Sequence, residues 1–404
     1  MTTTLTIWQE VQRHRGEVAL RDNHGALPIP QAGEARIRIL GAGICGADVR
    51  VVGGNKLASG DPNAYTTLGH EGTGLIEELG PGETWLAVGD QVVVLPHHFP
   101  SDHATYCTAR SIEPGCIGNG HSEHLGWDRP GIFSDYHVAP VTHLVRIDPT
   151  YLLQAEREAP HVGTALYAFT EPMLCVLSAY ELLDRQMDAL ERPRLTGGRA
   201  LVLGCGPIGV LHALALRKRG FAVWLSDPAT ERVKQAQWCL TGGNAYAGEG
   251  DFDLVIVTAS SAAAIKMGES LVRDKGTVYL FAGLNLGERE QHDASVMLLY
   301  ERVHRAAQGL YLNASGKRIM YLGHSGYFDY LAPQAVAMVA ANAGALGRAI
   351  TGVIPGWASP VIVGQHPGIV DWRTADDSPA LLAVLRGLDV RASHCKLIVT
   401  TTRA

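Results

Sequence analysis

RALVLGCGPIGVLHALALRKRGFAVWLSDPATER, residues Arg199 to Arg232, reads as strand, tight turn, helix, strand and then an acidic residue. Ala200 to Leu203 is a short apolar run of the kind that forms a buried parallel strand, and Gly204-Cys205-Gly206-Pro207-Ile208-Gly209 supplies G-x-G-x-x-G directly after it. Each glycine has a steric role in such a motif: the first permits the turn, the second admits a pyrophosphate, and the third lets the helix pack on the strand. Pro207 suits a first helical turn, whose unpaired N–H groups and positive dipole end favour phosphate. Arg217, Lys218 and Arg219 lie at the opposite, negative end, and Gly220 stops the helix. The second strand, Ala222 to Ser226, ends in Asp227, about 20 residues past the glycines, where a ribose-binding carboxylate is expected. A carboxylate accepts from a free 2′-hydroxyl and repels a 2′-phosphate, so the reading favours NAD over NADP. Arg232 is placed either to soften that preference by reaching a 2′-phosphate or to cover the adenine face.

A chain of 404 residues is long enough for two domains, each with its own core. Hydrophobic residues at 46% and charged residues at 18% are those of a globular protein, and a net charge of −6 gives no reason to expect a nucleic-acid or membrane partner. The longest apolar run, Ala200 to Leu216, is broken by glycines, Pro207 and His212 and is too short to span a bilayer. MTTTLTIWQEVQRHRGE at the N-terminus has no apolar signal region, so a cytoplasmic protein is expected. Seven scattered cysteines, an odd number, argue against a disulfide framework.

EARIRIL (Glu34 to Leu40) alternates as a half-buried strand and runs into the bend Gly41-Ala42-Gly43-Ile44-Cys45-Gly46-Ala47-Asp48. A second bend, Leu68-Gly69-His70-Glu71-Gly72-Thr73-Gly74, leads into a strand over Leu75 to Leu79, and Val88-Gly89-Asp90 turns into another from Gln91. Short strands with glycine punctuation predict an irregular, antiparallel, barrel-like domain over roughly the first 150 residues. A thiolate from Cys45, an imidazole from His70 and a carboxylate from Glu71 or Glu171 have the chemistry of a catalytic zinc site, with the fourth position open.

GAGICGAD, TLGHEGTGLIEELGPG, VGDQVVV, GIFSDYHVAP and FTEPMLCVLSAYELL resemble the successive motifs of the medium-chain, zinc-dependent alcohol and polyol dehydrogenases. VLGCGPIGVLHALALRKRG, FDLVIVTAS and GTVYLFAGL are similar to the same family's cofactor domain, so the likeness covers nearly the whole chain. It is nearest to the sugar and polyol branch, in which a Glu-Pro pair like Glu171-Pro172 stands near the metal. The resemblance implies an α/β fold, a Rossmann-type doubly wound parallel sheet joined to a mostly antiparallel GroES-like barrel. It places the catalytic domain at 1–175, the dinucleotide domain at 176–322 and a return to the catalytic domain at 323–404.

Residue by residue, the resemblance implies zinc on Cys45 and His70 with Glu71 as third ligand, and Glu171 as a ligand in some states or a partner through water. Asp48 would orient the His70 imidazole by accepting its other N–H. Gly204, Gly206, Pro207, Ile208 and Gly209 would hold the pyrophosphate and Asp227 the ribose. Ala259, Ser260, Ala282, Gly283 and Leu284 would line the nicotinamide. Two departures stand out. Where relatives carry a hydroxyl or a histidine to pass the alcohol proton outward, this chain has Ala47 and Arg50, which leaves Glu71, Glu171 or a water chain. Residues 97 to 130, where relatives cluster four cysteines around a structural zinc, offer only Cys107 and Cys116 among His97, His98, His103, His121 and His124. Those spacings match no tetrahedral pattern, which argues against a second zinc.

Past Asp227, helices over Glu231 to Leu240 and Ala262 to Val272 alternate with strands over Asp253 to Thr258 and Thr277 to Phe281. A helix over Ala294 to Gln308, a strand over Arg318 to Leu322, a helix over Pro333 to Ala341 and a strand over Lys396 to Thr400 are also expected. The function expected is oxidation of a secondary alcohol of a sugar, polyol or cyclitol by NAD with one catalytic zinc, in a homo-dimer or homo-tetramer. Arg50, Asn55 and Lys56 suit a hydroxylated small molecule, phosphorylated or not. The alternatives are a zinc-free NAD(P)H reductase on the same scaffold and a non-catalytic dinucleotide-binding protein.

Overall fold

The computed structural model describes residues 6–14, 17–52, 66–82, 84–98, 122–248, 250–283, 294–355, 362–363 and 396–400. The chain divides into two compact units, one of Met1–His98, Glu123–Glu171 and Ala332–Ala404, the other of Phe99–Ser122 and Pro172–Leu331. The division falls after Glu171, within one continuous helix, and after Leu331.

The first unit opens with a hairpin of β1 (Thr6–His14) and β2 (Glu17–Gly25), paired in register from Thr6↔Gly25 to His14↔Glu17. β3 (Glu34–Gly43) alternates in burial as far as Arg38 and is then buried throughout to Gly43. Its half-buried positions Arg36 and Arg38 reach across to Glu78 and Glu77, cross-strand pairs each contributing about 0.2–1 kcal/mol. The short helix α1 (Gly46–Val52) follows, then β4 (Thr66–Thr67) and β5 (Glu71–Leu79). β5 begins four residues earlier than the glycines suggest. Gly72 and Gly74 sit inside the ladder, because side chains of Ile132 and Ile37 occupy the space their own would need. Glu71 therefore stands directly opposite Gly43. β6 (Gln91–Val94), β7 (His97–His98), β8 (Glu123–His124), β9 (Tyr136–Pro140) and β10 (Leu144–Arg146) complete this part, followed by α2 (Pro149–Glu158) and α3 (Thr170–Ala189).

The second unit is built on β11 (Arg199–Leu203), α4 (Pro207–Lys218), β12 (Ala222–Ser226), α5 (Thr230–Cys239), β13 (Asn244–Ala245), β14 (Phe252–Val257), α6 (Ala262–Leu271) and β15 (Val272–Leu280). Apolar strands alternating with helices bury both sheet faces, and the strands pair in parallel. The single helix expected over Ala294 to Gln308 is instead an α turn, α7 (Ala294–Leu298), widening into a π turn over Leu299–Arg305. There His304 is buried, with Nδ1 3.2 Å from the Leu280 carbonyl. β16 (Leu310–Ala314) and β17 (Lys317–Gly323) end the sheet, whose order is β13-β12-β11-β14-β15-β17-β16 with only β16 antiparallel.

The chain then returns to the first unit through α8 (Ala332–Ala341), α9 (Ala343–Ala349), β18 (Ile350–Pro355), β19 (Ile362–Val363) and β20 (Lys396–Thr400). β20 inserts between β18 and β3, giving the sheet order β10-β6-β5-β3-β20-β18-β19 with β9 also on β3. No single helix among the described residues is long and apolar enough to cross a membrane.

Both units bury histidines in the neutral form. Burial, aided by neighbouring His143 and Arg129, pushes His98 down to about 2. His137 and His143 fall to about 4 for the same first reason, and His212 and His324 to about 3. An imidazole that titrates lower when folded than its ordinary 6.5 destabilises the fold once the unfolded chain starts taking the proton. Each costs up to about 1.4 kcal/mol per pH unit until the folded form is protonated as well. With a chelator present, the melting temperature should therefore fall steadily as pH drops from about 6.5 toward 4.5. Calorimetric scans flat across that window would show that these imidazoles are charged in the folded chain.

Candidate metal centre and dinucleotide site

Cys45 stands immediately before α1 and acts as its cap. Its Sγ accepts the Ala47 N–H at 3.4 Å, and its own N–H donates to Asp48 Oδ2 at 2.9 Å. This is the reciprocal arrangement of a capping box, with sulfur in place of the usual hydroxyl. The other oxygen of Asp48 lies 3.2 Å from His70 Nδ1, so one fully buried carboxylate braces both bends. With Nδ1 turned to Asp48, Nε2 is the atom left for a ligand. Burial by itself lowers the His70 pKa, but Asp48 and then Cys45 outweigh it and hold the imidazole well above its ordinary range.

Ligand atoms of Cys45, His70 and Glu71 all lie within 4.8 Å of one another. A thiolate, an imidazole and a carboxylate at that spacing fit a divalent zinc. Glu71 is also paired with Lys396, whose Nζ donates to the Ile44 carbonyl at 3.1 Å and lies 5.8 Å from the centre of the Phe169 ring. Burial lowers the Lys396 pKa, yet Glu71 and Cys45 reverse the effect and raise it. A dication placed among the thiolate, the carboxylates of Asp48 and Glu71, a neutral imidazole and this ammonium would leave the buried cluster without net charge. That is the condition for such a group to stay out of water. Next to His70 lies an aromatic layer: the His124 ring is 5.1 Å away and stacks on Trp127 at 3.6 Å.

In the second unit, sheet order reverses between β11 and β14, and the glycine turn leaves β11 at that point. Ligands of such sheets bind outside the carboxyl ends of the strands at this crevice. Gly206 precedes α4 with no side-chain cap, and a Cβ there would meet nothing within 4 Å. The space it leaves is open, as a pyrophosphate cradle requires. Gly209 differs: its Cβ would come 2.0 Å from the Gly204 carbonyl, so this glycine serves helix packing. Asp227 bridges the loop, Oδ2 accepting the Cys205 N–H and Oδ1 the Ala229 N–H, both at 2.9 Å. Arg232 Nη1 lies 3.9 Å from Asp227 Oδ2. The N–H groups of Phe281 and Ala282 donate to the Val257 carbonyl, which brings the turn at Ala282 and Gly283 to the end of β14, beside Ala259 and Ser260.

Residues 31–149 match the family described as alcohol dehydrogenase GroES-like domain. Glucose 1-dehydrogenase 2 of Vulcanisaeta moutnovskia is 26% identical over 277 residues, 65% of this chain and 73% of that protein. Sorbitol dehydrogenase of Halalkalibacterium halodurans is 28% identical over 208 residues, 51% of this chain and 52% of that one. A dehydrogenase from Sinorhizobium meliloti 1021, described as zinc-binding and bound to NADP, superposes with a TM-score of 0.69 at 21% identity. That match covers 98% of this chain and 100% of the other. The chain is a medium-chain dehydrogenase/reductase, related to sugar and polyol dehydrogenases.

Within this medium-chain dehydrogenase/reductase the candidate zinc cluster, among the described residues, gathers Cys45, His70 and Glu71. Glu171, at the start of α3 and buried, is not part of that set. Arg50 lies in α1, whereas Asn55, Lys56, Leu284, Cys107, Cys116, His103 and His121 fall outside the described residues. Sequence reasoning missed Lys396, because nothing local marks a lysine at the head of an apolar strand. It also gave no role to Tyr300 and His304, against which a Cβ at Gly283 would press at 3.4 and 3.2 Å.

The two glycines separate binding from packing. G206A should leave the melting temperature within about 2 °C while weakening NADH at least about tenfold. G209A should cost about 1–3 kcal/mol of stability, as overpacking does. Thermal scans alongside NADH fluorescence titrations check both; equal destabilisation by the two would refute this division.

Proposed function

We propose that this protein is a zinc-dependent oxidoreductase that transfers a hydride between NAD and a secondary alcohol of a sugar, polyol or cyclitol. The observation that carries this reading is the mutual approach of the Cys45, His70 and Glu71 ligand atoms to within 4.8 Å. A thiolate, imidazole and carboxylate that leave a fourth position open are a catalytic donor set rather than a structural one. Zinc bound there supplies Lewis acidity that lowers the pKa of a substrate hydroxyl. Cys45 and His70 hold the ion, and Asp48 fixes the imidazole through Nδ1. His124 and Trp127 present an apolar, aromatic flank beside His70, a surface that suits the C–H face of a carbohydrate. Asp227 and the glycine turn bind NAD, with Ala259, Ser260, Ala282 and Gly283 on its nicotinamide side.

Relatives named for glucose and sorbitol oxidation support a polyhydroxylated substrate over an aliphatic one. The proton released from the substrate has no hydroxyl at position 47 to receive it. The Glu71 carboxylate is already engaged by Lys396, which leaves Glu171 or a water chain for that role.

A panel of sugars, polyols and cyclitols, each phosphorylated and not, assayed for NADH formation with zinc and with chelator, tests the reading. C45S should lose zinc and about 10³-fold or more in kcat while keeping NADH affinity, and E171Q should keep zinc but lower kcat about 10²-fold. Full turnover in zinc-free protein would refute it. For the cofactor, D227A should weaken NAD more than NADP, shifting the ratio of the two affinities at least about tenfold. The loss of loop bracing affects both cofactors alike, so only the ratio reports on the ribose contact.

A further inference from the structure

Lys396 is buried to 4% side-chain exposure and touches the two segments that carry the candidate ligands. Its Nζ is paired with Glu71, the neighbour of His70, and donates to the carbonyl of Ile44, the neighbour of Cys45. Room for this ammonium is built into the backbone. A Cβ at Gly43 would lie 2.5 Å from Glu71 Oε2 and 3.1 Å from Lys396 Nζ. The chain thus keeps a permanent positive charge beside a cluster shaped for a cation. The ammonium balances the net charge of the buried cluster, yet its repulsion of a dication at such short range weakens the hold on the ion itself.

A lysine of this kind has another use. Carboxylates bind dications strongly, and a strong third ligand would resist letting go when a substrate hydroxyl enters the open fourth position. Resting on the reading that Cys45, His70 and Glu71 hold zinc, we propose that Lys396 is a positioning residue that keeps Glu71 an exchangeable ligand. By occupying Oε2, it shares the carboxylate's charge, so the ion is held firmly by sulfur and imidazole and loosely by Glu71. When a substrate oxygen takes the open fourth position, Glu71 would let go at little cost and return to the ammonium rather than to a vacancy. Phe169, with its ring 5.8 Å from Nζ, offers the displaced ion pair a face that tolerates positive charge.

The test compares wild type with K396M, K396Q and K396R in the full chain at pH 8.5. It measures zinc affinity by competition with a chromophoric chelator, the visible spectrum after cobalt substitution, and kcat and KM. Neutral K396M and K396Q should bind zinc about tenfold tighter or more, release it more slowly and lose kcat. Their cobalt d–d bands should shift as the carboxylate binds in full, whereas K396R, which keeps the charge, should stay within about threefold of wild type. A lysine that merely pinned the strands together predicts the opposite sign, weaker zinc binding in every variant that loosens the pair. Should K396M not fold, K396Q keeps a hydrogen-bond donor to Glu71 and carries the same expectation. Zinc affinity unchanged or reduced in a folded neutral variant would overturn the role of Lys396 while leaving the zinc site standing. Wild-type protein that binds no zinc, or binds it as well after C45S, would overturn the site itself.

Discussion

Charge compensation in a space nearly closed to water is the constraint on which the first unit depends. Asp48 faces His70, and Glu71 faces Lys396, all four buried. Each pair is tolerable only while both partners are in place, because stranding a buried charge costs about 3–5 kcal/mol. The two pairs also tie side chain to backbone. Asp48 caps α1 through Cys45, and Lys396 adds a bond to Ile44. The glycines at 43 and 72 follow from the same need, since side chains there would collide with the ion pair or with Ile132. Sheet register, helix cap and ligand spacing are thus one problem with one solution.

The dinucleotide unit solves a different problem by different means. Its ligand carries its own charge, so the site is made of backbone N–H groups, open space and one carboxylate rather than a cluster of opposed ions. Asp227 spends both oxygens on the loop, yet each carboxylate oxygen can accept more than one bond, leaving capacity for ribose hydroxyls. The absence of a side chain at Gly206 matters because of what enters, and at Gly209 because of what already stands there. A single motif therefore contains two glycines with unlike reasons, which its regular spacing conceals.

That contrast explains what could be read from the sequence. The β11-α4-β12 segment is legible because its determinants are local: a four-residue apolar run, a glycine turn and a helix ended by Gly220 lie within 34 residues, and β12 is observed over Ala222–Ser226 as expected. Cys45, Asp48 and His70 are legible as motif residues, but their meeting is expected only through the family resemblance and not from spacing, since it requires β3 and β5 to pair through glycines that read as a bend. Spacing also cannot separate an α from a π turn, and so the segment after Leu298 was expected to continue as ordinary helix. Lys396 is the extreme case. Its partner lies 325 residues away, and KLIVT alone reads only as a strand.

Such separation has a consequence for how the site comes to exist. Everything that defines Cys45, Asp48, His70 and Glu71 has been synthesised once β5 is complete, yet their compensating cation arrives only with β20. Until then Glu71 has no ammonium opposite, and β3 lacks the neighbour that covers Gly41 to Gly43. Contacts so distant along the chain form late, because closing a loop of that length precedes any reward from the contact. The intervening dinucleotide unit, with its local βα units, closes on shorter loops that do not depend on that contact. Chain order thus makes β20 the last element to reach the candidate metal site, and that strand also supplies the only buried lysine among the described residues.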